Sequence, residues 1–262
     1  MNKKVIITIV ILVLLVIGLG GYIAYDKIYL NYFNEESAKT TINEVTLDVN
    51  DLFEVGKVLE KLDNAYGDNN STYFGYLYDL KKRVNKVSEL GKDELTYAAI
   101  HDEIIFSGTE QKLPATKVKN NMNEMFGSNT KYNEATITAG TSYIFNYDDV
   151  TKSYIYTVPV PTTIYSPTYI VRNISTSVED GKIIITRKAF YVEYERSGDG
   201  TYTSATIYKS KNKSNKLITL SLKNGLLSVD EVFAKTSSKM NTYIYTFTED
   251  VGGYKLYQIE RK

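Results

Sequence analysis

His101 is the only histidine of the 262-residue chain and stands in the run Ile100-His-Asp-Glu-Ile104. A lone imidazole works as a general base or a metal ligand only where partners converge on it. If the run is helical, Asp102 points about 100° away around the axis. The neighbours at helical spacing are then Tyr97, Ile104 and Ile105, which describes a partly buried side chain. Ser210-Lys-Asn-Lys213 has the Ser-x-x-Lys spacing of a lysine-activated serine, but it lies in a polar stretch with no companion motif. Asp148, Asp149, Asp199 and Glu249 are the candidates for paired-carboxylate chemistry on glycans. Each falls in an expected turn, where acidic side chains ordinarily serve the backbone. Asp63-Asn-Ala-Tyr-Gly-Asp68 is not a calcium loop, because Ala65 occupies a ligand position. With no cysteine in the chain there is no thiolate nucleophile, disulfide or cysteine metal site. The sequence thus assigns no catalytic residue, no cofactor-binding residue, no metal ligand and no cofactor.

Aromatic residues are the other recurrent chemistry, with 24 tyrosines and no tryptophan. The chain ends in TYIYTFTEDVGGYKLY (Thr242 to Tyr257), and about a hundred residues earlier it reads SYIFNYDDVTKSYIY (Ser142 to Tyr156). In the later copy Tyr243, Tyr245 and Phe247 alternate, so they share one face of a strand. Pairing Phe247 with Tyr254 across a loop of Glu249 to Gly252 adds Tyr254 and Leu256 to that face. In the earlier copy Tyr143, Phe145 and Tyr147 face Tyr154, Tyr156 and Val158 in the same way. Tyr243, Tyr245, Phe247 and Tyr254 are therefore the candidate binding face. The competing reading is packing, since tyrosine is a standard half-buried strand residue and tryptophan is the stronger stacking anchor.

The elements that hold these groups begin with a membrane anchor. Val5 to Ala24 carries no charge, and twenty helical residues span about 30 Å, the hydrocarbon thickness of a bilayer. Lys3 and Lys4 precede it, which keeps the N-terminus cytoplasmic by the positive-inside rule. The run is longer than the apolar core of a cleaved signal peptide. The expected organisation is a cytoplasmic tail over 1–4, a transmembrane anchor over 5–25, a stalk over 26–45 and an extracytoplasmic domain over 46–262, with a possible subdivision near 160. Basic and acidic residues balance at 31 each. No basic stripe is visible, which argues against nucleic acid as a partner.

Within the domain, Leu52, Val55, Leu59 and Leu62 make one helical stripe capped at Asn50 or Asp51. Thr72 to Tyr78 reads as a strand. A second helix is expected over Asp93 to Ile105. A third runs from Pro114 to Gly127 with Val118, Met122, Met125 and Phe126 on one face. After Tyr132 the periodicity changes to two, with turns at Glu179-Asp-Gly181, Ser197-Gly-Asp-Gly200 and Asn224-Gly225. The apolar parity switches between Arg187 and Phe190, which predicts a bulge or bend in one long strand. Ser228-Val-Asp-Glu231 is a capping box that opens a short helix to about Lys239. Helices followed by antiparallel strands predict an α+β fold, helices on a bent antiparallel sheet in the manner of cystatin-like or nuclear-transport-factor-like domains.

The lysine-flanked anchor, LDVNDLFEVGKVLEKL, STYFGYLY, KVKNNMNEMFG, SYIFNYDDVTKSY and YIYTFTEDVGGYKLY together resemble those of uncharacterised single-pass membrane proteins of low-GC Gram-positive bacteria and their wall-less relatives. The resemblance implies an anchored extracytoplasmic α+β domain and carries over no functional residue. The expectation is a non-enzymatic partner-binding or scaffolding module at the cell envelope, touching the membrane through one helix and an envelope protein or cell-wall partner outside. Two alternatives stay open: wall-glycan binding or hydrolysis, and a subunit of an export or conjugation machine.

Overall fold

The computed structural model describes residues 49–67, 83–139, 143–160, 168–223 and 225–262. The anchor, the stalk and the strand expected over 72–78 lie outside these residues. Among the described residues no helix is long and apolar enough to cross a membrane. The fold is α+β with antiparallel sheets. In chain order the elements are α1 (Val49–Gly67), β1 (Val84–Lys86), α2 (Lys92–His101), β2 (Glu110–Pro114), α3 (Ala115–Phe126), β3 (Ile137–Ala139), β4 (Tyr143–Asp148), β5 (Ser153–Thr157), β6 (Thr168–Glu179), β7 (Lys182–Arg196), β8 (Tyr202–Tyr208), β9 (Lys216–Ser221), α4 (Val229–Thr236), β10 (Asn241–Asp250) and β11 (Gly253–Arg261).

The described strands divide between two sheets. The larger runs β1-β11-β10-β7-β8-β9 with β6 also on β7, and the smaller runs β2-β5-β4-β3. Helix α2 lies against α1, α3 and β3. Leu95 through Ile100 are consequently all buried, so α2 has no polar face and no amphipathic stripe to read. It ends at His101, four residues before the expected end, and Ile105 is 56% exposed. Helix α3 does show its expected stripe, with Val118, Met122, Met125 and Phe126 all buried. Helix α1 starts at Val49, so Asn50 and Asp51 stand inside its first turn rather than at its cap.

Strand β7 organises the larger sheet. Along one edge it pairs with β6 from Glu179↔Lys182 to Thr168↔Val192. Along the other, residues 183–189 pair with β10 and residues 191–196 with β8. The turn between β6 and β7 is Asp180-Gly181, both at positive φ, as a two-residue hairpin of right-handed twist requires. The parity switch near Arg187 is not a bulge in β7. Ile183, Ile185, Ala189 and Tyr191 point into one hydrophobic cluster, and Phe190 and Val192 into a second on the opposite face. The bulges fall on its partners, at Ile174 in β6 and Thr203 in β8, where the register shifts.

The first cluster joins α1, α2 and α3 to both sheets, and it contains residues from either side of position 160. The second is roofed by α4, whose Phe233 meets Phe190 edge-on at 5.5 Å. Ser228 Oγ accepts from Glu231 N–H and caps α4 as the sequence predicts. Arg172 stacks its guanidinium 4.3 Å over the Phe233 ring and pairs with Asp230.

Arg187 is the buried exception on the first face of β7. Its Nη1 and Nη2 donate to Asp63 Oδ1 and Oδ2 at 2.9 and 2.6 Å, and its guanidinium lies 5.2 Å over Tyr245. A bidentate pair of this kind fixes the rotation of α1 on the sheet. Removing one partner strands a charge in the core, which is far costlier than the pair is beneficial. Asp63→Asn is therefore expected to lower the unfolding free energy by about 3 kcal/mol, while Asp63→Leu combined with Arg187→Met recovers most of the loss. Urea denaturation measures both, and an Asp63→Asn effect within the ±0.5 kcal/mol range of ordinary surface substitutions would contradict this role.

Candidate functional site

Two aromatic hairpins form, and both serve the core. Tyr243, Tyr245, Phe247 and Tyr254 are 0, 0, 0 and 9% exposed and share a cluster with Val55, Val58, Leu59 and Leu62 of α1. The candidate binding face is thus beneath a helix, and the rings are not a surface ledge. The pairing is Phe247↔Leu256 and Glu249↔Tyr254 around a two-residue turn, Val251-Gly252. This register is slipped by two residues from the expected one, and an even slip leaves the same side chains on the same face. The earlier hairpin pairs Tyr147↔Tyr154 as expected, with Phe145 and Tyr156 5.3 Å apart. Burial pushes the Tyr132 hydroxyl up to about 12, and Tyr154 higher still, so these phenols stay neutral donors; Tyr154 donates to the Asn133 carbonyl.

The predicted carboxylates are not brought together. Asp148 accepts from the Thr151 hydroxyl and the Val150 N–H within the β4–β5 turn, and these hydrogen bonds, the hydroxyl's first, hold its carboxyl below its ordinary value. Asp149 pairs with Lys152. Asp199 ties the β7–β8 turn through Ser197 Oγ and Thr201 N–H. Lys213 is paired to Glu193 at 2.6 Å, and its Ser210 partner bonds Asn212. His101 closes α2 with its ring edge-on to Tyr97 at 5.8 Å. No group of three or more acidic or histidine side chains among the described residues is placed to hold a metal ion.

A charged cluster at one side of the helical layer has a structural role. Lys61 of α1 reaches Glu124 at 2.8 Å and Asp102 at 3.5 Å, while Lys117 and Asn121 of α3 meet Glu103 at 2.5 and 3.1 Å. Burial alone would raise the Glu103 carboxyl, but the hydrogen bonds from Lys117 and Asn121 and the charges of Lys117 and Lys61 hold it below its ordinary value. A carboxylate with a depressed folded pKa contributes stability that is present above its unfolded pKa of about 4.3 and is lost as pH falls through the folded value. Glu103→Gln should therefore flatten the acid limb of the stability curve below about pH 4. Superimposable acid limbs in the two proteins would refute the assignment.

Of the four carboxylates, Glu249 lines a cavity. The tip of β10–β11, the 3-10 turn at Val87–Glu89 and the C-terminal end of α3 enclose a groove of about 440 Å³. Leu90, Phe126 and Leu256 form its apolar part, and Lys131, Lys255, Glu249 and Asp250 its charged part. Three sequence features build this corner. Gly127 ends α3 at φ 89°, ψ 160°, a region open essentially to glycine alone. A Cβ there would meet Asp250 Oδ2 at 2.5 Å and Lys255 Cγ at 3.8 Å, so acid and lysine both pack on the bare glycine. Tyr257 is the extra residue of a bulge between Thr246 and Phe247 of the β10 register, which re-aims the end of the hairpin. Finally, β1 covers β11 only at 258–260. From Gly253 to Tyr257 that edge of β11 carries no strand among the described residues, and Lys255, Leu256 and Tyr257 line the groove.

The sequence pattern puts Glu249 in a turn and Gly127 at a helix end and does not connect them. The signal that could have joined them is the stretch Tyr254-Lys-Leu256, in which a lysine sits between two apolar core positions. Comparisons with family models, with curated proteins and with solved structures give no match. Gly127→Ala is expected to cost about 2 kcal/mol from backbone and clash together. The double change with Asp250→Ala relieves only the clash and leaves roughly 1 kcal/mol. Thermal unfolding of the two variants tests the partition, and a Gly127→Ala protein as stable as the parent would overturn the corner geometry.

Proposed function

We propose that the chain is a membrane-anchored envelope protein whose extracytoplasmic domain binds or positions a partner through the groove at the β10–β11 tip. The observation that carries this reading is the groove itself, with an apolar floor, both signs of charge and, over 253–257, an edge of β11 that pairs with no strand among the described residues. Cavities of about 300–1,000 Å³ with a few converging polar groups are the usual setting for recognition. The uncharged run from Val5 to Ala24 supports a single-pass anchor over 5–25 with the N-terminus in the cytoplasm and the domain outside. In this reading the tail is 1–4, the stalk 26–45 and the partner-binding domain 46–262, as in the single-pass proteins of low-GC Gram-positive bacteria that the sequence resembles. Helix α1 against β6 and β11, with Asp63 reaching Arg187 of β7, supports the cystatin-like or nuclear-transport-factor-like plan of helices on a bent antiparallel sheet.

A photoreactive amino acid at Tyr257, on the rim of the groove, should give a discrete crosslinked product in intact cells. The same probe at Val150, 92% exposed on the β4–β5 turn of the other sheet, should not, and Lys131→Glu should weaken the Tyr257 product. Equal labelling from both positions, or none from Tyr257, would remove the groove as the partner site.

A further inference from the structure

Lys255 is the side chain on which the chemistry of the groove turns. It is 7% exposed, and its ammonium donates to one acceptor, the Gly252 carbonyl at 3.0 Å. An ammonium has three donors, and no carboxylate among the described residues forms an ion pair with Lys255. A buried cation in that condition is normally matched by an anion. Asp250 shares the corner but gives one oxygen to Val251 N–H at 2.7 Å and rests the other on Gly127. Lys131 lines the same groove and adds a second positive charge.

An inorganic anion would satisfy the lysines and leave the apolar floor of Leu90, Phe126 and Leu256 uncovered. A ligand suited to the whole groove carries a carboxylate and an apolar side chain on neighbouring atoms, with a backbone able to bond the open edge of β11. The carboxyl-terminal residue of an extended peptide has these features together: its carboxylate and its side chain leave the same Cα. Strand addition at a free sheet edge supplies affinity through main-chain hydrogen bonds, and capture of the terminus supplies specificity. We infer that the groove binds the free C-terminal end of a peptide whose last residue is apolar, with Lys255 holding the carboxylate and the β11 edge pairing the backbone. This inference rests on the groove being the partner site.

The test uses the full 262-residue chain in detergent micelles and fluorescence anisotropy of three labelled hexapeptides. One ends in Val-Leu with a free carboxylate, the second is its C-terminal amide, and the third is an amide with Glu in place of the last Leu. The free acid should bind at least tenfold more tightly than either amide. Lys255→Met should reduce the acid to the level of the amide, and Lys131→Met should weaken it less. Acid and amide binding within twofold of one another overturns the inference on the parent protein alone, even if a variant fails to fold. So does a Glu-bearing amide that matches the acid, or a folded Lys255→Met protein that keeps the preference. If the Tyr257 crosslink forms while acid and amide bind alike, the partner site stands and only the terminal-carboxylate inference falls.

Discussion

Strand β7 is hydrogen-bonded along both edges and buried on both faces, and the rest of the molecule is arranged around that fact. Its first half is the seat for β10 and for the helical layer; its second half is the seat for β8 and for α4 on the opposite side. A strand in this position cannot bulge without disturbing two clusters at once. The irregularities fall on its partners, at Ile174 in β6 and Thr203 in β8, and one strand further out, at Tyr257 in β11. The extra twist that each bulge brings lets β10–β11 and β8–β9 share one edge of β7 and still curve toward different cores. The buried Arg187 is tolerable on such a strand because Asp63 meets both of its terminal nitrogens, and the pair locks α1 in one orientation over the sheet.

The two similar aromatic hairpins solve the same packing problem from opposite sides. Both sheets contribute buried aromatic rows to one cluster, with Phe145 beside Tyr97 of α2 on one side and Tyr245 beside Arg187 on the other. Wide, flat side chains that tolerate a polar tip fill the space between a sheet and a helix layer, and here the phenol tips find acceptors such as the Asn133 and Glu103 carbonyls. Repetition in the sequence therefore reports a shared depth of burial.

Most of the local structure was legible in the residues. The stripes of α1 and α3, the Ser228 cap, the Asp180-Gly181 turn and the aromatic faces follow from period and turn chemistry, which act over a few residues. What was not legible depended on distant neighbours. Helix α2 is surrounded, so its pattern carries no period, and its expected extension to Ile105 fails where that side chain meets solvent. The parity switch in β7 has two local explanations, a bulge or a change of core, and only the position of α4 distinguishes them. The groove was invisible for the same reason: Gly127, Asp250 and Lys255 lie on three different elements or turns, and their contact exists only once α3 ends against the β10–β11 tip.

Within that corner, packing accounts for the glycine, for the acid and for the stem of the lysine but not for its ammonium. Position 255 stands between Tyr254 and Leu256 in a stretch buried on both faces, where an apolar side chain of similar length would avoid the desolvation of a charge. An ammonium on a buried residue with one acceptor, beside an apolar floor, is what the inferred site requires when the counter-charge arrives with the ligand. In the inferred site, an anion that binds the folded chain there stabilises it by mass action. Among the described residues no carboxylate pairs with this ammonium; such a partner would quench the charge and close the groove to an anion from outside.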